Sequence, residues 1–91
     1  MEIEYKENYI YIKNEDDEVG YIQYTKVNDH VIDVTTTYVN EKYRGQGIAG
    51  KLFEQLVLYS RNHNYKIIPS CSYIKNKLEK STKYADIYYN G

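Results

Sequence analysis

The chain has 91 residues, enough for one domain and too few for a second. Its 12 Lys and Arg against 13 Asp and Glu leave a formal charge of -1, which argues against a broad basic footprint for nucleic acid. At 42% hydrophobic and 27% charged residues the composition is that of a folded globule, not of a disordered chain.

A chain this short buries only about 60–65% of the surface its unfolded form exposes, so modest stability or homodimerisation is expected. The outer edge of the first predicted strand is the candidate dimer contact. Thirteen Tyr stand beside one Phe and no Trp. Tyrosine suits half-buried strands, where the ring packs and the hydroxyl stays wet, so the tyrosines are read as core volume and carry no stacking function by their number alone. The first residues, MEIEYKENY, are charged and lack the apolar core of a signal peptide. No apolar run approaches the ~18–20 residues of a membrane span. The single cysteine, Cys71, allows no internal disulfide and no cysteine zinc cluster. These features predict a cytoplasmic protein without a membrane partner.

In chain order, 8–14 (NYIYIKN), 19–27 (VGYIQYTKV) and 31–39 (VIDVTTTYV) are rich in Val, Ile, Thr and Tyr and predict strands. The short polar connections EDDE and Asn28-Asp29-His30 join them into a three-stranded antiparallel meander. In the third strand, Asp33, Thr35, Thr37 and Val39 share one face and Ile32, Val34, Thr36 and Tyr38 the other, which leaves the buried face open. From Gly47 the period changes. Ala49, Leu52, Phe53, Leu56, Val57 and Ser60 recur at three and four residues, with Lys51, Glu54, Gln55, Arg61 and Asn62 facing away, and predict an amphipathic helix to about His63-Asn64. An asparagine there can take the left-handed capping conformation. The run KIIP at 66–69 predicts a short, fully buried strand, parallel to the third through the helical crossover. A second helix is expected over 72–80 and a short turn over 83–88.

Between the third strand and the first helix lies YRGQGIAG, residues 43–50. Gly45, Gly47 and Gly50 let the chain turn tightly, and the free N–H groups of the first helical turn favour an anion, above all a phosphate. Taken alone, the glycines also fit a simple tight loop at a helix entry. A Walker A loop fails because Leu52 stands where Ser or Thr should follow Lys51. The GxGxxG string matches the dinucleotide fingerprint letter by letter, but antiparallel strands precede it and no acidic residue ends a second strand at the required distance.

The residues Arg44-Gly45-Gln46-Gly47-Ile48-Ala49 resemble the Arg/Gln-x-x-Gly-x-Gly/Ala signature of the GCN5-related N-acetyltransferases. They follow a Thr- and Val-rich strand ending in Val39, as in that family, and the resemblance spans nearly the whole chain. It is closest to a minimal single-domain subgroup of similar length, in which an equivalent of Pro69-Ser70-Cys71-Ser72-Tyr73 follows the last strand. It implies an α/β fold with a small mixed, mostly antiparallel sheet and a central amphipathic helix, lacking the helices that usually shape the acceptor groove. It also implies acetyl-CoA as cofactor. Tyr38 and Val39 would meet the pantetheine arm, and Arg44, Gly45, Gln46, Gly47, Ile48 and Ala49 the diphosphate. Lys80, with Tyr84, matches part of a basic and aromatic run in the subgroup, without its histidine and proline, which implies Lys80 as a contact at the adenosine end of the cofactor.

Acetyl transfer to an amine needs a neutral nucleophile, a donor for the developing oxyanion and a proton for the departing thiolate. A backbone N–H near Tyr38 or Val39 could meet the oxyanion, and Asp33 and Glu41 are the carboxylates placed to relay a proton. Cys71 follows a strand exit next to a helix start, where a thiolate is stabilised. It is the candidate covalent acceptor or polar neighbour of the thioester, against the plain reading of a buried structural cysteine. Tyr73 is the candidate acid beside it. His30 and His63 have no metal-ligand spacing and are expected to serve as surface or helix-end hydrogen-bonding groups. The predicted function is therefore an N-acetyltransferase acting on a protein lysine, an N-terminus or a small amine. The alternatives are a non-catalytic acyl-CoA-binding module and a structural or interaction domain.

Overall fold

The three predicted strands form, and a fourth precedes them. The computed structural model describes residues 1–90 and places β1 (Glu2–Lys6), β2 (Tyr9–Asn14), β3 (Asp17–Asn28) and β4 (Val31–Val39) in one antiparallel meander, with β5 (Lys66–Pro69) parallel to β4. β1 was not expected because its apolar residues are only side cover: Ile3 is 37% and Tyr5 48% exposed, so EIEYK lacks the buried stripe that announces a strand. Its presence corrects the proposed dimer contact, since β1 occupies the outer edge of β2.

The connection between β2 and β3 is also tighter than EDDE suggested. Asn14 pairs with Asp17, leaving a two-residue turn in which Glu15 takes φ 57. Pairing then slips, with Ile12 opposite Gly20 and Lys13 opposite Glu18, so that Val19 bulges inward and is fully buried.

α1 (Ile48–Asn62) forms over the predicted stripe and buries Ile48, Leu52, Phe53, Leu56, Val57 and Ser60. It ends at His63, and Asn64 takes φ 57, the left-handed geometry that lets the chain leave a helix. α1 lies on the sheet face carrying Ile10, Ile12, Ile22, Ile32 and Val34, all at most 1% exposed. Each such burial is worth about 1.5–3 kcal/mol. By strand alternation the opposite face carries Tyr9, Tyr11, Tyr21 and Tyr38, whose rings follow one another at 5.2–5.9 Å between centroids. Only Tyr24 and Tyr43 enter the core, so the expectation that the tyrosines supply core volume holds for these two, while this row of rings packs on the opposite face.

β5 is less buried than expected. Only Ile67 is fully enclosed, opposite Ile32; Pro69 shares its face but sits at the strand's end and is half-buried. α2 (Ser72–Glu79) follows and buries Ile74 and Leu78 in the same core. A 3-10 turn at Thr82–Tyr84 sets Tyr84 edge-on to Phe53, 5.1 Å away, and the tail then returns to the sheet. The Ile67 N–H donates to the Ile87 carbonyl and the Tyr89 N–H to the Ile67 carbonyl, covering the outer edge of β5 for one residue.

Candidate functional site

β4 outruns its neighbour. Its parallel register with β5 stops at Val34 opposite Pro69, while β4 continues to Val39. The Cys71 N–H donates to the Val34 carbonyl at 3.0 Å, and beyond that bond the two strands part. A bulge at the same place decides which side chains border the opening. Thr36 pairs with Gln23 and Val34 with Tyr24, leaving Thr35 without a partner. The extra residue shifts the alternation and turns Thr37 and Val39 toward the side that Ile32 and Val34 occupy lower down.

The resulting cleft, about 430 Å³, is lined by Thr37, Tyr38, Val39, Arg44, Gly47, Ile48 and their neighbours Gly45, Ala49 and Tyr73. Gly45 and Gly47 take φ 82 and 75, a conformation that costs other residues about 1–2 kcal/mol. Gly47 is the N-cap of α1 and offers no side-chain cap, and the first intrahelical bond is Lys51 N–H to the Gly47 carbonyl. The amides of Ile48, Ala49 and Gly50 are therefore free at the helix start. Gly50 itself has no positive φ and no close neighbour, so its lack of a side chain is not required by the turn.

The glycine loop is held at its base. Asn40 donates its backbone N–H to the Val19 carbonyl and its side-chain amide to the Glu18 carbonyl, and its side-chain oxygen accepts from the Lys42 N–H. Tyr43, 8% exposed, buries its ring and donates its hydroxyl to Asp17 at 2.9 Å, where Lys42 also pairs at 3.0 Å. The Lys42 contact first and the Tyr43 hydroxyl second hold the Asp17 carboxyl below its usual range. Arg44 donates from Nε to the Val39 carbonyl at 3.4 Å, which shows that this carbonyl points away from β3 and into the opening. Sequence reasoning did not single out Tyr43 or Asp17.

Cys71 lies just behind the cleft wall. Its Sγ is 3.5 Å from Thr37 Oγ1, and the amides of Tyr73, Ile74 and Thr37 face the sulfur. Burial opposes ionisation of the thiol; the Thr37 hydroxyl and these amides outweigh it and bring Cys71 below the ordinary cysteine value. Burial, and then the neighbouring Cys71, push the Tyr73 phenol up, so Tyr73 keeps its proton at neutral pH. Thr37 was not expected from the sequence, because the bulge that aims it depends on the facing strand.

Of the residues expected around the cofactor, Tyr38, Val39, Arg44, Gly45, Gly47, Ile48 and Ala49 meet in this cleft, although the Tyr38 ring packs on Tyr21 at 5.2 Å. Gln46 is exposed in the loop and does not border the cleft, and Lys80 caps the far end of α2, also outside it. Asp33 accepts from the Ser70 hydroxyl at 2.6 Å and lies where β4 and β5 are still paired. Glu41 stands exposed in the 3-10 turn Glu41–Tyr43.

The positive-φ glycines, the free amides at the start of α1 and the splayed edge of β4 thus meet in one cleft of a small α/β domain. Residues 7–87 match the family described as GCN5-related N-acetyl-transferase, and the chain belongs to that family. It is similar to a GCN5-like protein of Staphylococcus aureus solved in solution, with 38% identity, TM-score 0.76, and 97% of this chain against 87% of that one covered. The fold alone is shared with Ard1 from Thermoplasma volcanium at 16% identity and TM-score 0.62, covering 82% of this chain and 55% of that one. The same holds for a GNAT family acetyltransferase from Elizabethkingia anophelis with acetyl-CoA bound, at 22% identity and TM-score 0.59, covering 79% and 50%. The chain thus spans about half the length of these last two. Between β1 and β4 it has no helix among the described residues.

Proposed function

We propose that the protein is an N-acetyltransferase that takes the acetyl group of acetyl-CoA to an amine. The observation that carries this reading is the joining, in one cleft, of the positive-φ glycines, the open start of α1 and the unpaired edge of β4. The fold is shared with an acetyltransferase that has acetyl-CoA bound. The residues fit that group. The amides of Ile48 and Ala49, the Arg44 guanidinium and the missing side chains of Gly45 and Gly47 suit a diphosphate. The Val39 and Thr37 backbone, on the open strand edge, suits the amides of a pantetheine arm.

When bound, acetyl-CoA supplies an acetyl group already activated as a thioester. The chain's own part is to hold that group on the edge of β4 and to manage protons beside it. Thr37 and the α2 amides hold Cys71 Sγ ready to ionise, and Tyr73 keeps a phenolic proton to give. Cys71 takes part either as covalent acceptor or as proton carrier. Without the usual groove helices, the acceptor must approach an open site. Suitable amines are a protein lysine, an N-terminus or a small polyamine.

The test is release of free CoA from acetyl-CoA with a panel of polyamines, lysine peptides and N-terminal peptides. Turnover with at least one amine, lost in Cys71→Ala while CoA binding persists, is expected. Intact mass measured with acetyl-CoA but no amine separates the two cysteine roles, since only the covalent role leaves an acetyl adduct on Cys71. Binding with no CoA release across the panel would contradict the enzyme reading and leave a binding module.

A further inference from the structure

A second cleft, about 400 Å³, opens at the other end of the sheet from the glycine loop. It is built by four tyrosines from four places in the chain: Tyr5 of β1, Tyr24 of β3, Tyr59 of α1 and Tyr65 ahead of β5. Tyr59 is the hub, with ring centroids 5.4 Å from Tyr5, 5.8 Å from Tyr24 and 5.8 Å from Tyr65. Tyr59 lies eleven residues along α1 from Ile48 at the first cleft, or about 16 Å of helix. The two clefts are separate.

Lys6, Glu7, Asn8 and Lys26 complete the lining of the second cleft, and the donors among these groups outnumber the single carboxylate. Tyr24 is only 5% exposed and its hydroxyl lies 2.9 Å from that of Tyr59. Two phenols carry two protons, and the bond between them uses one. The other proton has no acceptor among the side chains of the described residues. Burial, and then the bond to Tyr59, push the Tyr24 phenol well above its ordinary value, so the pair stays neutral and offers a donor. At the rim the Lys26 ammonium lies 5.8 Å from the Tyr65 ring centre and has no carboxylate partner among the described residues. The Lys6 ammonium is paired with Glu4, and the one carboxylate on the rim, Glu7, is exposed to solvent on the turn between β1 and β2.

We infer that this cleft binds a small planar aromatic carboxylate, its ring laid against the open side of the tyrosine cluster and its carboxylate reaching the Tyr24–Tyr59 hydroxyl pair and Lys26. Flat π-faces select a planar ring over a saturated one by offset or edge contacts. The spare phenol proton and the free ammonium select an acceptor with negative charge over a cation. The inference is independent of acetyl transfer, because none of these residues borders the glycine cleft.

Benzoate is the probe, titrated into the full chain and followed by backbone amide shifts, with cyclohexanecarboxylate and benzylamine as comparisons. Benzoate should shift the Tyr24, Lys26 and Tyr59 amides saturably while leaving Gly47 unmoved. The double substitution Tyr24→Phe with Tyr59→Phe keeps both rings, removes the spare phenol proton along with the pair, and should weaken binding at least about fivefold, the loss of roughly one hydrogen bond. Lys26→Met, at an exposed position, should weaken it in a chain whose folding is not in question. Absence of saturable shifts at these amides would overturn the proposal. So would equal affinity for benzylamine or cyclohexanecarboxylate, or undiminished benzoate binding in the two variants.

Discussion

The Sγ of Cys71 and the Oγ1 of Thr37 lie 3.5 Å apart across the point where β4 and β5 separate. The contact joins the strand that walls the cleft to the start of α2, and it bears on the acidity of the sulfur. Against the effect of burial, the Thr37 hydroxyl is the largest influence lowering the Cys71 pKa. Thr37→Val preserves shape and removes the hydroxyl. Since Cys71 is the only cysteine, alkylation by iodoacetamide reads it without interference. The pH midpoint of alkylation should rise in the variant, and the rate near pH 7 should fall several-fold as the thiolate fraction drops. An unchanged profile would show that Thr37 does not govern the thiol.

Gly20 makes a mechanical prediction. A Cβ built there would stand 2.6 Å from the Tyr38 carbonyl and 3.3 Å from both Ile48 and Leu52, so neither the backbone of β4 nor the helix leaves room. Gly20→Ala should destabilise the fold by about 1–3 kcal/mol, the usual cost of overpacking. Tyr38 and Ile48 also wall the cleft, so ligand affinity should fall with it. Chemical denaturation measures the first effect and CoA titration the second.

Acid should loosen the base of the glycine loop. Asp17 is held below its usual value of 3.8 by Lys42 and then Tyr43, and Asp86 likewise by Arg61. A carboxylate with a depressed folded-state pKa contributes stability that is complete above its unfolded value and is lost as pH falls through the folded one. The melting temperature should therefore hold from neutral pH to about 5 and fall below about 4. Asp17→Asn should lower it at neutral pH, and its gap to wild type should close in acid. A gap that widens in acid would have the wrong sign.

The elements that declare themselves in the sequence are those with one unambiguous face. α1 shows its stripe from Leu52 to Ser60, and KIIP is bracketed by an asparagine exit and a proline. β1 hides because an edge strand buries little. The side-chain facing of Thr37 and Val39 hides for a different reason: the bulge at Thr35 exists only in relation to β3, and no period within β4 reveals it. The glycine loop is legible because its two left-handed positions demand glycine. Its anchor is not, because Tyr43 is one tyrosine among thirteen and its partner Asp17 lies in a distant turn.

The central claim is that the Gly45–Gly47 turn and the start of α1 receive the diphosphate of coenzyme A. Isothermal titration of the wild-type chain and of Gly47→Glu with acetyl-CoA and with CoA tests it most directly. The substitution strains a φ of 75 by about 1–2 kcal/mol and sets a carboxylate where the phosphates should lie. The account predicts micromolar binding by wild type, about -8 kcal/mol, and loss of that binding in a variant whose circular dichroism remains that of the folded chain. No binding by wild type, or equal binding by the folded variant, would contradict it.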